Sequence, residues 1–345
     1  MSLVSVLGVG AATPIGVTAP TFAAAFRAGI TRFSEIEESA DESPRASYLS
    51  QIPWGLSCSE RTLELTKRAL VDLTNTSSPG RARRLAAWIG IAESEEGAAV
   101  ERALPRHLRD AFPQLSRSPH FLRRGRGAFF AALAAAQRAL LASDCDVALV
   151  GAADSLCAPE ILERLARERR LLGPDLEGVI PGEGAAFLLL APPGLAARAR
   201  ARLLCCATSR ESRHLRQEAP NTAEAMTAVL HELRVHPATQ GRRADLLLTS
   251  ETGEPFWTAE LAAAYLRNVA LMPEPFTRTT AGEGLGDLGA AAGAVMTALG
   301  LCWLARPLRQ SPPRSAPSLL MVCGSSDEGH VGACLIEATK DEEAG

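Results

Sequence analysis

The chain has 345 residues, long enough to bury a substantial core and to form two lobes of ordinary domain size. Its 36 Lys and Arg against 39 Asp and Glu leave a formal charge of -3, and the basic residues are spread along the chain, which excludes a nucleic-acid interface built on a basic patch. The eight cysteines lie mostly in apolar runs without C-x-x-C spacing, so no metal and no cofactor are expected, and buried free thiols in a reducing cytoplasm fit best.

The opening stretch, MSLVSVLGVGAATPIG, has no charged segment ahead of its apolar residues, and these alternate with small ones as in a buried strand rather than a secretory signal. GVGAATPIG from Gly8 begins like the dinucleotide fingerprint G-x-G-x-x-G, but Thr13 takes the third glycine's place and Pro14 follows, which disfavours a nicotinamide or flavin site. Residues 34–48 and 306–317, rich in Ser, Pro and charge, are expected to be solvent-exposed loops, and the tail KDEEAG to fray. Strands are predicted at LVSVLGVG, AAWIGIAES, ARLLCCATS and ADLLLTSE. Residues 288–305, LGAAAGAVMTALGLCWLA, are uncharged but dominated by Ala and Gly, which predicts a close-packed buried helix rather than a membrane span.

Two segments about 160 residues apart share a pattern. GAFFAALAAAQRALLASDCDVALVGAADS starts at Gly127. GAAAGAVMTALGLCWLARP starts at Gly289 and continues after a connector as SLLMVCGSSDEG. Each pairs an Ala-rich helix with an apolar strand and a small-residue turn carrying Asp154 or Asp327, and a further strand follows, GEGAAFLLLA or HVGACLIEA. The repetition predicts a duplicated α/β lobe with layered, doubly covered sheets. The junction is expected near Pro192 to Arg202, giving lobes at 1–195 and 196–345.

VSVLGVGAATPIGVTAPTFAAAFRAG resembles the amino-terminal strand, G-x-G-x-x-T-P-x-G turn and first helix of β-ketoacyl-acyl-carrier-protein synthases. ALLASDCDVALVGAADS, GVIPGEGAAFLLLAPP and GDLGAAAGAVMTALG are similar to later segments of that family, in the same order. The resemblance implies the thiolase fold, two similar five-stranded lobes in a layered α-β-α-β-α sandwich, in a dimer. It also implies that this chain, shorter than typical synthases, has trimmed loops over its site.

The family's chemistry needs a cysteine at a helix amino terminus, two histidines and a lysine. Matching back from DVALVGAAD places the nucleophile at Arg126, which cannot serve, and SPHFLRRGRGAFF holds no cysteine. The H-G-T-x-T-P motif matches SETGEP, placing Ser250 at the first histidine, with Thr252 and Pro255 kept. The G-H-x-x-G-A-A-G motif matches GDLGAAAG and places Asp287 at the second, while Gly282 takes the lysine's position. Lys67 and Lys340, the only lysines, lie far from these motifs in sequence, so no catalytic residue is expected.

The resemblance therefore implies a non-catalytic partner subunit, scaffold or adaptor, of a polyketide or fatty-acid synthase or of an effector-delivery system, with a synthase subunit, carrier protein or secreted effector as partner. An acyltransferase or hydrolase remodelled around Ser250, Glu251, Glu254, Glu283 and Asp287 is the alternative, although capping of the following helix explains Glu283 and Asp287 without new chemistry and is the preferred reading of those two. A third reading is an acyl-pantetheine binder that receives an anion on Arg123, Arg124 and Arg126, with Glu251, Thr252 and Glu283 as further ligand- or partner-binding candidates. Cys157 and Cys323 lie at no long helix start and read as structural; His330 reads as a loop residue.

Overall fold

Long apolar runs such as VALVGAA and AAFLLLA carry no polar face, so strands built from them must be covered on both sides. The computed structural model describes residues 3–36, 45–80, 82, 84–115, 117–174, 176–193, 199, 201–305 and 318–339. The first half runs β1 (Val4–Ala12), α1 (Ala19–Arg27), β2 (Phe33–Glu35), β3 (Arg45–Ser47), α2 (Cys58–Thr76), β4 (Leu85–Ile91), α3 (Glu95–Ala111), β5 (His120–Arg123), α4 (Ala128–Leu141), β6 (Val147–Ser155), α5 (Pro159–Arg167) and β7 (Glu183–Ala191). The second runs β8 (Ala201–Arg210), α6 (Glu224–Val235), β9 (Leu246–Thr249), α7 (Pro255–Arg267), β10 (Thr279–Thr280), α8 (Ala281–Gly284), α9 (Ala292–Ala305), β11 (Leu319–Ser325) and β12 (His330–Ala338).

The ten long-sheet strands lie in the order β10-β9-β11-β12-β8-β1-β7-β6-β4-β5. Numbered within each half, both sets of five follow one order: third, second, fourth, fifth, first. The directions agree as well. The second strand is parallel to the third and fourth, and the fifth is antiparallel to the fourth and first, in each half. β1 and β8 pair over Val4–Val6 and Ala201–Leu203, joining the halves edge to edge in one sheet.

Apolar burial forms three large clusters that separate the layers. The central one joins α4 and α9 to strands of both halves. A second packs α2 and α3 on the outer face of the first half, and a third packs α6 and α7 on the outer face of the second. Helix, sheet, helix pair, sheet, helix is the five-layered thiolase arrangement. α9 is buried almost all round, which is why its sequence lacks a polar face. No helix among the described residues is long and apolar enough to cross a membrane.

The glycines of GVGAATPIG serve packing. A Cβ on Gly10 would lie 2.3 Å from the Leu73 backbone nitrogen, so the motif lets α2 lie directly on β1.

The repeat register needs one correction. Gly125 (φ 48°) and Gly289 (φ 52°) each open a three-residue 3-10 turn, Gly125–Gly127 and Gly289–Ala291, that feeds a 14-residue helix. Gly125, rather than Gly127, is therefore the counterpart of Gly289, because the left-handed backbone and not the Gly-Ala pair marks the equivalent position.

The loop expected at 34–48 also changes. Where it is described, β2 and β3 pair antiparallel, Ala46 and Ser47 are buried, and the Ser47 N–H donates to the Pro181 carbonyl at 2.7 Å; residues 37–44 lie outside the described residues. Residues 306–317, Lys340 with the rest of the tail, and most of the expected junction lie outside the described residues.

Candidate functional site

The RRGRG segment divides in two. Arg123 and Arg124 are exposed, and Arg123 donates to the Glu93 and Ser94 carbonyls; Arg126 is 5% exposed, turned inward beyond the left-handed Gly125. The Arg126 Nη1 donates to Asp287 Oδ2 at 2.8 Å, Nε donates to the Ser325 carbonyl at 2.9 Å, and Nη2 bonds Asp327. Its guanidinium carbon lies 4.5 Å from the Trp257 ring centroid, a cation–π contact. Arg170 closes the network: its Nε and Nη2 hold Glu254 at 2.8 and 2.9 Å, and its Nη1 meets Asp327 at 2.5 Å. Trp257 Nε1 donates to the same Glu254 carboxylate at 2.9 Å. Two arginines of the first half thus grip the β11–β12 turn and the α7 start of the second.

Burial pushes the Asp327 carboxyl up, but Arg126 and Arg170 outweigh it and hold the group well below the usual carboxylate range. Asp287 remains raised, by burial first, with Arg126 pulling the other way. Its Oδ1 accepts the Gly289 N–H at 2.9 Å, so it caps the turn leading into α9 as a helix-end carboxylate does. Glu283 does not share that role. It is exposed in α8, and its own N–H is capped by Thr280 Oγ1 at 3.3 Å. The second carboxylate at the α9 entrance is Asp154, from the other half, which accepts the Ala290 N–H at 2.8 Å.

Ser250 is 4% exposed and its N–H donates to the Cys323 carbonyl. It borders a void of about 20 Å3 with Trp257, Glu260 and Ser325, room for about one water. Glu251 accepts from Thr249, Thr258 and Arg278, at 2.8, 3.0 and 2.8 Å. Thr252 donates to Glu254 at 3.1 Å, and the Gly282 N–H donates to the Glu251 carbonyl.

Asp287 lies elsewhere, in a cleft of about 300 Å3 lined by Glu93, Asp154, Arg164, Arg170, Arg216 and Glu328 together with the Arg126 network. Arg126 faces the cleft and Trp257 faces the void, so their stack is the wall between the two. The structure does not bring Ser250, Glu251 and Asp287 into one pocket.

Cys157 and Cys323 are buried, and burial pushes both thiols up, Cys157 well above the usual range. His330 opens β12 half-buried, its pKa lowered by burial and by Arg124 and Arg210. No group of three or more His, Cys, Asp or Glu suited to a metal gathers among the described residues. Sequence reasoning missed Arg170, Arg216 and Trp257. Arg170 ends the run RLARERR, where nothing distinguishes an inward arginine from its solvated neighbours.

Residues 127–193 match the family model for the N-terminal domain of β-ketoacyl synthases. No curated protein sequence matches. Among solved structures, a chain of a type II polyketide synthase acyl-carrier protein in complex with its ketosynthase bound to a hexaketide superposes with a TM-score of 0.80 at 14% identity, covering 98% of this chain and 100% of that one. A chain of a ketosynthase in complex with its chain length factor from Xenorhabdus doucetiae gives 0.78 at 15% identity, covering 98% of each. A Streptomyces albus oxazolomycin ketosynthase domain gives 0.76 at 16% identity, covering 99% of this chain and 76% of that one. This chain thus spans about three quarters of the oxazolomycin domain and all or nearly all of the other two chains. With the repeated strand order, the five layers and these superpositions, the chain carries the thiolase fold of the β-ketoacyl synthases and resembles them in sequence over residues 127–193.

Proposed function

We propose that this protein is a non-catalytic, ketosynthase-like partner subunit that works through its surfaces. The observation that carries this reading is Arg126. It is a buried guanidinium tied to Asp287, Ser325 and Asp327, and the sequence match that puts it at the family's nucleophile also puts Ser250, Gly282 and Asp287 at the histidines and lysine. The full coverage of chains from carrier-protein and chain-length-factor complexes favours a synthase partner over an unrelated adaptor. We divide the chain into lobes at 1–195 and 196–345, supported by the matching strand orders, and place it in the cytoplasm, supported by eight free thiols. β5 ends the sheet and pairs with β4 alone among the described strands, leaving a backbone edge free for a partner.

The test is co-expression with the ketosynthase and carrier protein encoded nearest to it, followed by size-exclusion chromatography and a malonyl-carrier-protein decarboxylation assay. A stable complex and no turnover by the isolated chain are expected. Turnover by the isolated chain, or failure to associate with any such partner, refutes the reading. The hydrolase reading loses its support because Ser250 is sealed from the cleft, and the acyl-pantetheine reading because Arg126, the buried member of its arginine trio, is already engaged by carboxylates.

A further inference from the structure

The cleft lies where the first half's β4 and β6 end and β11 turns into β12, the edge at which open α/β sheets take ligands. Its walls carry charge of both signs with unequal commitments. Arg126 and Arg170 are each held by carboxylates of the network. Arg216 and Arg164 are held loosely. Arg216, 45% exposed, meets Glu328 at 3.1 Å and both Glu168 and Asp327 at 3.8 Å; Arg164, 33% exposed, meets Glu96 at 3.2 Å. Solvated pairs of this kind are worth about 0–1 kcal/mol, so a ligand carboxylate can replace the protein's own at small cost.

Deeper in, Glu93 and Asp154 make no ion pair among the described residues. Asp154 accepts the Ser155 and Ala290 N–H groups at 2.9 and 2.8 Å, with Cys58 Sγ at 4.0 Å, and Glu93 accepts the Ser326 hydroxyl at 2.6 Å. A carboxylate offers about four lone-pair sites, so both retain acceptor capacity. Burial is the first cause that pushes both upward, Asp154 to about 6, with Arg164 pulling Asp154 and Arg126 pulling Glu93 the other way without forming an ion pair. Asp154 is 3% exposed and lies inside, with half-buried Glu93 also on the cleft wall and the exchangeable arginines at the rim.

We propose that this cleft binds a small zwitterion, a free amino acid whose ammonium group sits against Asp154 and Glu93 and whose carboxylate takes the place of Glu328 or Glu96 on the rim arginines. The 300 Å3 volume is at the small end of ligand sites, about 300–1,000 Å3, which suits a single amino acid and not a long acyl chain. A bare amine leaves the arginines with their original partners, and a bare acid meets the inner carboxylates as a like charge, so both charges on one molecule are needed. The inference does not rest on the partner-subunit reading, and either can fail alone.

Isothermal titration of the full chain near neutral pH with glycine, β-alanine, γ-aminobutyrate, 5-aminovalerate and lysine, beside butylamine and butyrate, tests it. At least one zwitterion should bind tenfold or more tightly than the matched amine and acid, a difference of about 1.4 kcal/mol. Glu93→Gln and the double change Arg164→Gln with Arg216→Gln should each weaken that binding tenfold or more. Arg123→Gln, outside the cleft, should leave it unchanged, with circular dichroism confirming the fold of every variant. The proposal is overturned if no zwitterion binds at millimolar concentration, if butylamine binds as tightly, or if the rim variant binds like the unsubstituted chain.

Discussion

Replacing Arg126 by Ala removes the cation that neutralises Asp287 and shares Asp327 with Arg170, and it opens the wall against Trp257. Asp287 is 3% exposed, so its carboxylate would remain buried without a counter-charge, a loss of about 3–5 kcal/mol for breaking one side of a buried pair. An unfolding entropy of about 2.1 cal/mol/K per residue gives about 0.7 kcal/mol/K over 345 residues, hence a drop of about 4–7 °C in melting temperature. The effect should depend on pH, and its sign follows from the two carboxylates. Asp327 is depressed in the intact protein, so its stabilisation is present above the unfolded carboxylate range and is lost as pH falls through the folded value. Asp287 is already raised by burial, and without Arg126 it rises further. It then destabilises the variant above the unfolded range, an effect relieved on acidification. The gap between Arg126→Ala and the intact chain should therefore be widest near neutrality and should narrow toward pH about 4, the carboxylate range. Differential scanning fluorimetry at both pH values reads this directly. A drop below about 1 °C, corresponding to under 1 kcal/mol, or a gap that widens on acidification would refute the assignment of Arg126 as a buried counter-ion.

Arg126→Cys should restore no decarboxylation of malonyl-carrier protein, because the histidine and lysine positions hold Ser250, Asp287 and Gly282; turnover above background would contradict the reading of the site as inert. Glu183→Ala should cost about 3–5 kcal/mol, since Glu183 accepts from Arg61 twice at 2.8 Å, from the Leu49 N–H and from Ser155 with no solvent exposure, and soluble expression with an unchanged melting temperature would refute that. Asp154→Asn should flatten part of the pH dependence of stability. A buried carboxyl with a folded pKa of about 6 against a reference of 3.8 destabilises the fold above pH about 6 and is relieved as pH falls toward 4, so identical stability–pH curves would refute the shift.

What was legible in the sequence and what was not divides by distance along the chain. β6, β7, β11 and β12 are continuous apolar runs closed by small-residue turns, and a run too apolar to face water on either side can only be an inner strand, so the duplicated lobe could be read locally. The Ala and Gly content of α9 likewise marks a helix buried among neighbours. Even the position of Arg126 followed from the neighbouring strand. Its meaning did not, because Asp287 is 161 residues away and Asp327 201, and a charged side chain next to glycine reads as solvated until its partners are placed. Arg170 and Glu254 are 84 residues apart, and although Glu254 lies in SETGEP, Arg170 lies in no motif that would point to it.

The buried charges at the meeting of the two halves answer one another: Asp287 neutralises Arg126 and caps the turn into α9, and Arg170 secures the turn opposite. A counter-ion placed from one half onto the other adds specificity only when both halves are in their native relation, because either half alone would leave a buried charge unpaired. The ion network thus ties the register of the two halves together, from Arg126 and Arg170 in the first to Glu254, Asp287 and Asp327 in the second.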